Sequence, residues 1–107
     1  MSARIFAPAE ARILGIWDYT HEKWGEQQAD NYVLGLIDAI HSLENQRDRW
    51  RPVRDKLLDG VWFVRHEHHY VFFRELTGGV VGVITVLHEN MDLPSRLKGD
   101  DSLVEND

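Results

Sequence analysis

Apolar runs between residues 61 and 92 predict the strands around which the chain is built. β-Branched and aromatic side chains dominate these runs, as is typical of half-buried pleated surfaces. The runs are residues 61–64, 69–74 and 80–87. Gly78 and Gly79 separate the last two and predict a hairpin turn, because glycine adopts positive φ at little steric cost. Such an apolar hairpin is not stable alone in water, so the rest of the chain must cover one face.

Helical periodicity precedes the strands. A short extended run at residues 4–6 is followed by Pro8, which suits a first helical turn, and by apolar positions spaced three and four apart as far as Trp24. A second seam with the same spacing predicts a helix over residues 26–46. Its members are Ala29, Val33, Leu36, Ile40 and Leu43. The short connection predicts an antiparallel helical hairpin.

The order of elements predicts an α+β fold, with an N-terminal strand and an α-helical hairpin packed on a small, mostly antiparallel β-sheet. Which sheet edge the first strand occupies is left open. Residues 47–60 predict a loop with one helical turn near Leu57, and residues 93–97 a short closing turn. Residues 1–98 are expected to form one domain, and residues 99–107 an acidic, disordered tail.

Composition narrows the class of protein. The 107 residues are 43% hydrophobic and 28% charged, which suits one globular domain with a single core. There is no cysteine, so disulfide and thiolate chemistry are excluded. The N-terminus does not resemble a signal peptide, and the longest apolar run, residues 80–87, is too short to span a bilayer. We therefore expect a cytoplasmic protein that is not associated with membranes.

The charge is negative overall but locally positive. A net charge of −6 argues against generic nucleic-acid binding, and no direct sequence-specific binding is expected. Five basic residues nevertheless lie within ten positions of the predicted loop. They are Arg47, Arg49, Arg51, Arg54 and Lys56. Two interpretations stay open: a contact surface for a target, or a solvated connection.

Histidine offers the first candidate chemistry. If the strand continued through them, His66 and His68 would share a face and His69 would lie on the other. Two imidazoles fall short of the three or four ligands of a zinc site, so we expect a polar break between strands, no metal and no cofactor. No serine elbow or phosphate loop is present. Acid–base cleavage of RNA stays open, with Arg65 and His88 as candidate catalytic groups.

Two sequence motifs occur in order. The first is Ile16-Trp17-Asp18-Tyr19 followed by the run from Lys23 through Tyr32. The second is His69-Tyr70-Val71-Phe72-Phe73-Arg74, followed after the glycine turn by Val83-Ile84-Thr85-Val86-Leu87-His88-Glu89-Asn90-Met91-Asp92. With both motifs, the chain resembles the ParE family of toxins from bacterial toxin–antitoxin modules over residues 4–97. The resemblance implies the RelE/ParE fold.

The resemblance also implies partners. A ParD-like antitoxin would hold the toxin in a hetero-oligomer, and the target would be DNA gyrase, blocked by protein binding without catalytic residues. The family often has an Arg-containing form where this chain has Val86-Leu87, a departure that bears on gyrase inhibition. The first alternative is a RelE-like, ribosome-dependent mRNA endonuclease that uses Arg65 and His88. The second is a non-toxic adaptor that binds another protein.

Two surfaces follow as hypotheses. The antitoxin would add an extended segment to a groove between the helices and the sheet edge, through residues that the sequence leaves unknown. The target would meet a polar end of the sheet together with the basic loop, where Arg and Trp are typical interface anchors. The polar-end candidates are Arg74, His88, Glu89, Met91 and Asp92, and the loop candidates are Arg49, Trp50, Arg51 and Arg54.

Overall fold

A computed structural model describes residues 3–104 of the chain, and five strands in this part form one sheet. The strands are β1 (Ala3–Ile5), β2 (Arg51–Pro52), β3 (Val61–His66), β4 (His69–Glu75) and β5 (Val81–His88). Their order in the sheet is β1-β5-β4-β3-β2. β1 pairs parallel with β5, whereas the other neighbours pair antiparallel. The predicted α+β class is confirmed, and the edge that the sequence left open is the one beside β5.

Two helices form the predicted hairpin. Helix α1 (Ala7–Trp24) carries Pro8 in its first turn, and α2 (Glu26–His41) follows after Gly25, whose φ of 93° suits glycine. α2 ends five residues before the predicted end at residue 46. The carbonyl of Leu43 accepts a hydrogen bond from the Trp50 indole at 3.0 Å, and Leu43–Asn45 forms a 3₁₀ turn. Leu43 is still buried, so the apolar seam continues past the helix that it predicted.

The helical hairpin covers one face of the sheet. A buried cluster joins Ile13 of α1 and Leu36 and Ile40 of α2 to Phe73 of β4 and Val83 of β5. Burying side chains of this size contributes roughly 1.5–3 kcal/mol each. This layer is the core that the two helical seams predict. No helix within residues 3–104 is long and apolar enough to cross a membrane.

The opposite face of the sheet is covered by a third helix, α3 (Leu93–Asp101), which begins where the sequence predicts only a closing turn. Leu97 of α3 packs with Phe72 and Ile84 in a second buried cluster. A bulge helps to build it, since Phe72 pairs with Thr85 and Phe73 with Val83, which leaves Ile84 as an extra residue. β5 is therefore buried on both faces.

The acidic C-terminal segment is partly folded, which corrects the prediction that disorder begins at residue 99. Gly99, Asp100 and Asp101 form the last turn of α3. Asp100 is buried, and its carboxylate accepts hydrogen bonds from Thr85 Oγ1 at 2.7 Å and Arg12 Nε at 3.0 Å. The negative charge of this segment led to the prediction of a solvent-exposed tail. The hydrogen bonds from Thr85 and Arg12, however, compensate the cost of burying the Asp100 carboxylate. Residues 105–107 of the predicted tail lie outside the described residues.

The basic segment is more ordered than a plain loop. The predicted helical turn is confirmed as a 3₁₀ turn at Lys56–Leu58, where the Asp55 side chain accepts the Leu57 amide proton at 2.9 Å. A second 3₁₀ turn, Arg47–Arg49, and the two-residue strand β2 were not predicted. Arg51-Pro52 has no apolar alternation, so pairing with β3 rather than local pattern makes it a strand.

Candidate functional site

Four polar side chains lie close together near the turn that joins β3 to β4. We call Arg65, His68, His88 and Glu89 the polar group. The strand ends at His66 because Glu67 adopts a positive φ of 51°, so His66 and His68 do not share a strand face. Arg65 Nη2 and His68 Nδ1 both contact the carboxylate of Glu89, the latter at 2.8 Å. The ring of His88 stacks on that of His68 with centroids 6.3 Å apart. Arg65 and His88, the candidate ribonuclease pair, therefore lie at one end of the sheet.

The charges in the polar group favour a stable ion pair between Glu89 and its neighbours over a Glu89 carboxylate that takes up protons near neutral pH. The hydrogen bond from His68 and the nearby Arg65 charge lower the pKa of Glu89, so it is a weak base at neutral pH. Arg65 is also held by the Glu67 carbonyl at 2.8 Å. His88 Nδ1 accepts the Asn90 amide proton at 3.1 Å. Each group already has an internal partner, although the side chains of Arg65 and His68 are still more than half exposed.

Two further histidines lie under α2. His69 Nδ1 is 2.6 Å from the Tyr32 hydroxyl, and burial, with the neighbouring histidines, lowers the pKa of His69 to about 4. Burial likewise raises the pKa of Tyr32. Nε2 of His66 is buried without a hydrogen-bond partner in the described part of the chain, with the Tyr32 ring 5.8 Å away. These side chains join α2 to the sheet, and no group of three or more His, Asp or Glu within residues 3–104 is placed to hold a metal ion.

Arg74 lies at the opposite end of the sheet. His69 pairs with His88 and Arg74 with Gly82, so the antiparallel register puts Arg74 five residues along β4, about 17 Å away. Its guanidinium donates to the Asp59 carbonyl at 2.8 Å and to the Asp101 carboxylate at 3.2 Å. The hypothesis of one polar end containing both Arg74 and His88 is therefore wrong. Arg74 instead fastens the end of α3.

The basic segment, residues 47–56, contains side chains that have partners within the protein and side chains that have none among the described residues. Trp50 packs edge-on against Phe73 at 4.9 Å on the helical face of the sheet, so it contributes to the core. Arg47 donates to Glu75 at 2.9 Å, and Arg49 donates to the Gln46 side chain at 3.0 Å. The two remaining candidates, Arg51 and Arg54, are exposed, and their side chains have no partner among the described residues.

A cleft of about 320 Å³ opens between the sheet and α3. Its apolar walls are Val53, Leu58, Phe63, Tyr70, Leu93 and Leu97, and Arg54 stands at its border. The Phe63 and Tyr70 rings meet edge-on at 5.8 Å, and the Arg65 guanidinium lies 5.7 Å from the Tyr70 ring centre. We shall call this feature the α3 cleft. In the sequence, only the alternating aromatic residues of β3 and β4 pointed to this cleft. That alternation alone does not show whether a side chain lines a cleft or lies in the core.

The two remaining candidates, Met91 and Asp92, follow β5. Met91 packs against the apolar cluster beneath α3, next to Leu93. Asp92 is exposed, and its backbone carbonyl accepts the Arg96 amide proton in the first turn of α3, at 3.0 Å. Met91 thus packs against the second buried cluster, whereas Asp92 presents its carboxylate to solvent.

The outer face of the helical hairpin carries the largest exposed apolar side chains of this layer. Leu14, Tyr19, Trp24 and Leu34 are each between 58% and 65% exposed. Trp17 stacks on His21 at 4.9 Å and donates its indole proton to Asp30 at 2.8 Å. Large exposed apolar side chains of this kind make the helical hairpin a candidate interaction surface.

Comparison with known proteins gives a consistent result. Residues 4–93 match the family model described as the ParE toxin of a type II toxin–antitoxin system, parDE. Toxin ParE of Escherichia coli is 36% identical over 91 residues, which covers 85% of this chain and 87% of that protein. Toxin ParE1 of Mycobacterium tuberculosis is 35% identical over 105 residues, with 91% and 100% covered. Toxin ParE1 of Caulobacter vibrioides is 30% identical over 94 residues, with 88% and 95% covered.

Solved structures agree on the fold. A chain of the chromosomal ParDE system from P. aeruginosa superposes with a TM-score of 0.68 at 18% identity, covering 82% of this chain and 95% of that one. A chain of the RelBE2 toxin–antitoxin complex from Mycobacterium tuberculosis gives 0.60 at 15% identity, covering 81% and 95%. At these identities the likeness concerns the fold alone, and it confirms the predicted RelE/ParE-like architecture.

Proposed function

Because the chain belongs to the ParE toxin family of type II toxin–antitoxin systems, we propose that it blocks DNA gyrase by binding it directly. The observation that carries the proposal is the match to the family and to toxins of that name over most of both lengths. Inhibition of gyrase would arrest growth, and the place of action would be the cytoplasm. A ParD-like antitoxin would neutralise the toxin in a hetero-oligomeric complex.

The state of the polar group supports a binding protein over an enzyme. A ribonuclease needs a group that is free to take or give a proton near pH 7. Glu89 has a lowered pKa and contacts both Arg65 and His68, and His69 is buried against Tyr32. Glu89 and His69 are thus held by internal contacts, which suits a toxin that acts through its surface.

The helical hairpin is the surface that we assign to the antitoxin. Leu14 of α1 and Leu34 of α2 are both 62% exposed, and Tyr19 and Trp24 extend the same layer. An antitoxin must hold its toxin stably, and stable complexes bury large apolar areas. The matched structures come from a ParDE system and a RelBE2 complex, which fits an antitoxin partner here.

The ribonuclease alternative keeps one specific observation in its favour. Arg65, His68, His88 and Glu89 converge at one end of the sheet, a composition that is adequate for acid–base cleavage if RNA displaced the Arg65–Glu89 pair. The non-toxic adaptor has no structural feature of its own, and growth of cells that express the chain without antitoxin tests it.

The deciding experiment compares two targets with one preparation of toxin. We expect the purified chain to inhibit supercoiling of relaxed plasmid by gyrase and to trap cleaved DNA covalently on the enzyme. In parallel, a translating-ribosome assay should show no mRNA cuts. Codon-positioned cuts with unaffected gyrase would instead establish the ribonuclease alternative, and absence of both activities with normal growth would leave the adaptor.

A further inference from the structure

We infer that the α3 cleft is the contact surface for the toxin's protein target, and that it receives an acidic segment with a large apolar side chain. The inference rests on the proposed function, since the target is taken to be gyrase. It replaces the broad polar end expected from the sequence with one concave site on the face opposite the helical hairpin.

The shape of the cleft suits an apolar anchor. Its volume of about 320 Å³ is at the lower end of the range of ligand pockets and larger than one aromatic side chain needs. Phe63 and Tyr70 are only half-buried, so they offer ring surface to a partner. Leu57, in the 3₁₀ turn beside the cleft, is 76% exposed and enlarges the apolar border. Interface hot spots typically consist of one such anchor in a small desolvated pocket.

The charge around the cleft selects the partner. Arg51 and Arg54 lie on the segment that forms one wall, and Arg96 lies on α3, which forms another. All three are exposed, and their side chains have no hydrogen bond or ion pair among residues 3–104. Among the described residues that line the cleft, Asp55 is the one carboxylate, and it is already paired with Lys98 at 3.1 Å. In a chain of net charge −6, this is a local excess of unpaired cations that complements carboxylates.

A protein segment fits these features better than nucleic acid. Binding to a phosphate backbone draws its affinity from many neutralised phosphates, and this chain is acidic overall. A few cations around an apolar cleft are better suited to a short protein segment that carries carboxylates and an apolar side chain. The antitoxin is the less suitable occupant, because the proposed function already assigns it to the exposed apolar side chains of the helical hairpin.

The test uses the full-length chain and purified DNA gyrase. The variant Arg51→Glu/Arg54→Glu reverses the charge at the cleft, and Val53→Phe narrows it without any change of charge. The backbone hydrogen bond from the Val53 amide to the Val61 carbonyl, 2.9 Å in the parent chain, does not involve the side chain that is replaced. We expect both to raise the concentration for half-inhibition of supercoiling by tenfold or more. A matched control, Lys23→Glu/Gln27→Glu/Gln28→Glu, makes the same total charge change at exposed positions of the helical hairpin, on the other side of the sheet, and should stay within about twofold.

Circular dichroism and thermal midpoints establish that each variant is folded before its activity is compared. If the parent chain inhibits gyrase and folded cleft variants inhibit it equally, this inference fails and the proposed function stands. If the parent chain does not inhibit gyrase at all, both fail. The inference also fails if the cleft variants instead lose plasmid binding without gyrase, lose self-association in sedimentation, or retain inhibition while escaping the antitoxin. Those three results would assign the cleft to nucleic acid, a second copy or the antitoxin.

Discussion

Replacing Asp100 with alanine tests most directly whether the C-terminal helix belongs to the folded domain. The change leaves the fully buried Thr85 hydroxyl without its acceptor, which costs about 1–3 kcal/mol. Arg12 also loses its carboxylate, but its side chain is 27% exposed, so water replaces much of that interaction and we add only about 1 kcal/mol. The free energy of unfolding should therefore fall by about 2–4 kcal/mol, toward the lower end of the cost of breaking a buried ion pair.

Urea denaturation followed by tryptophan fluorescence measures this loss, since the chain has four tryptophans. The control is Asp92→Ala, which removes an exposed carboxylate just before the same helix and should change the free energy of unfolding by less than about 0.5 kcal/mol. A double-mutant cycle with Arg12→Ala separates the ion pair from the Thr85 contact. If Asp100→Ala cost no more than Asp92→Ala, α3 would not be held by this carboxylate, and the reasoning would be refuted.

The remaining predictions concern pH, packing and the alternative activity. The pKa of His69 is about 4, below its unfolded value near 6.5, so stability should be full above pH 6.5 and fall by up to about 3 kcal/mol towards pH 4. Urea unfolding of a His69→Gln variant should lack that pH-dependent loss. Gly82→Ala would place a methyl group 2.7 Å from the Phe6 ring and should cost about 1–3 kcal/mol, seen as a lower thermal midpoint. Arg65→Ala and His88→Ala should leave gyrase inhibition within about twofold, whereas a large loss would bring the polar group into the functional site.

Local pattern predicted the elements well where one periodicity dominated. The helical seams and the β4–β5 hairpin follow from side-chain spacing, because one face of each element is buried. The pattern gave the wrong end for α2, because the apolar spacing continues to Leu43, which is buried but lies outside the helix. It also gave the wrong environment for Asp100, because its charge does not reveal the two side chains that donate hydrogen bonds to it. β2 escaped prediction because only its pairing with β3 makes it a strand.

The candidate site was harder to predict because it depends on register. The sequence placed Arg74 with His88, and only the antiparallel pairing of β4 and β5 shows that they lie at opposite ends. The α3 cleft is assembled from four separate stretches of chain, so no single window of sequence contains it. Local charge predicted Arg51 and Arg54 as candidates. Only the three-dimensional contacts show that they differ from Arg47, whose guanidinium is paired with Glu75.

The parallel pairing of β1 with β5 has a consequence for synthesis of the toxin. Ala3 pairs with Val81, and Arg12 contacts Asp100 across 88 residues of sequence, so both must wait for partners that are synthesised much later. Such distant contacts slow folding, whereas the contacts between the two helices of the hairpin are local and can form early. A nascent chain on the ribosome can therefore display the helices assigned to the antitoxin before the sheet and the α3 cleft exist. In that order of events, the proposed antitoxin contact can form on the polysome, before the rest of the domain has folded.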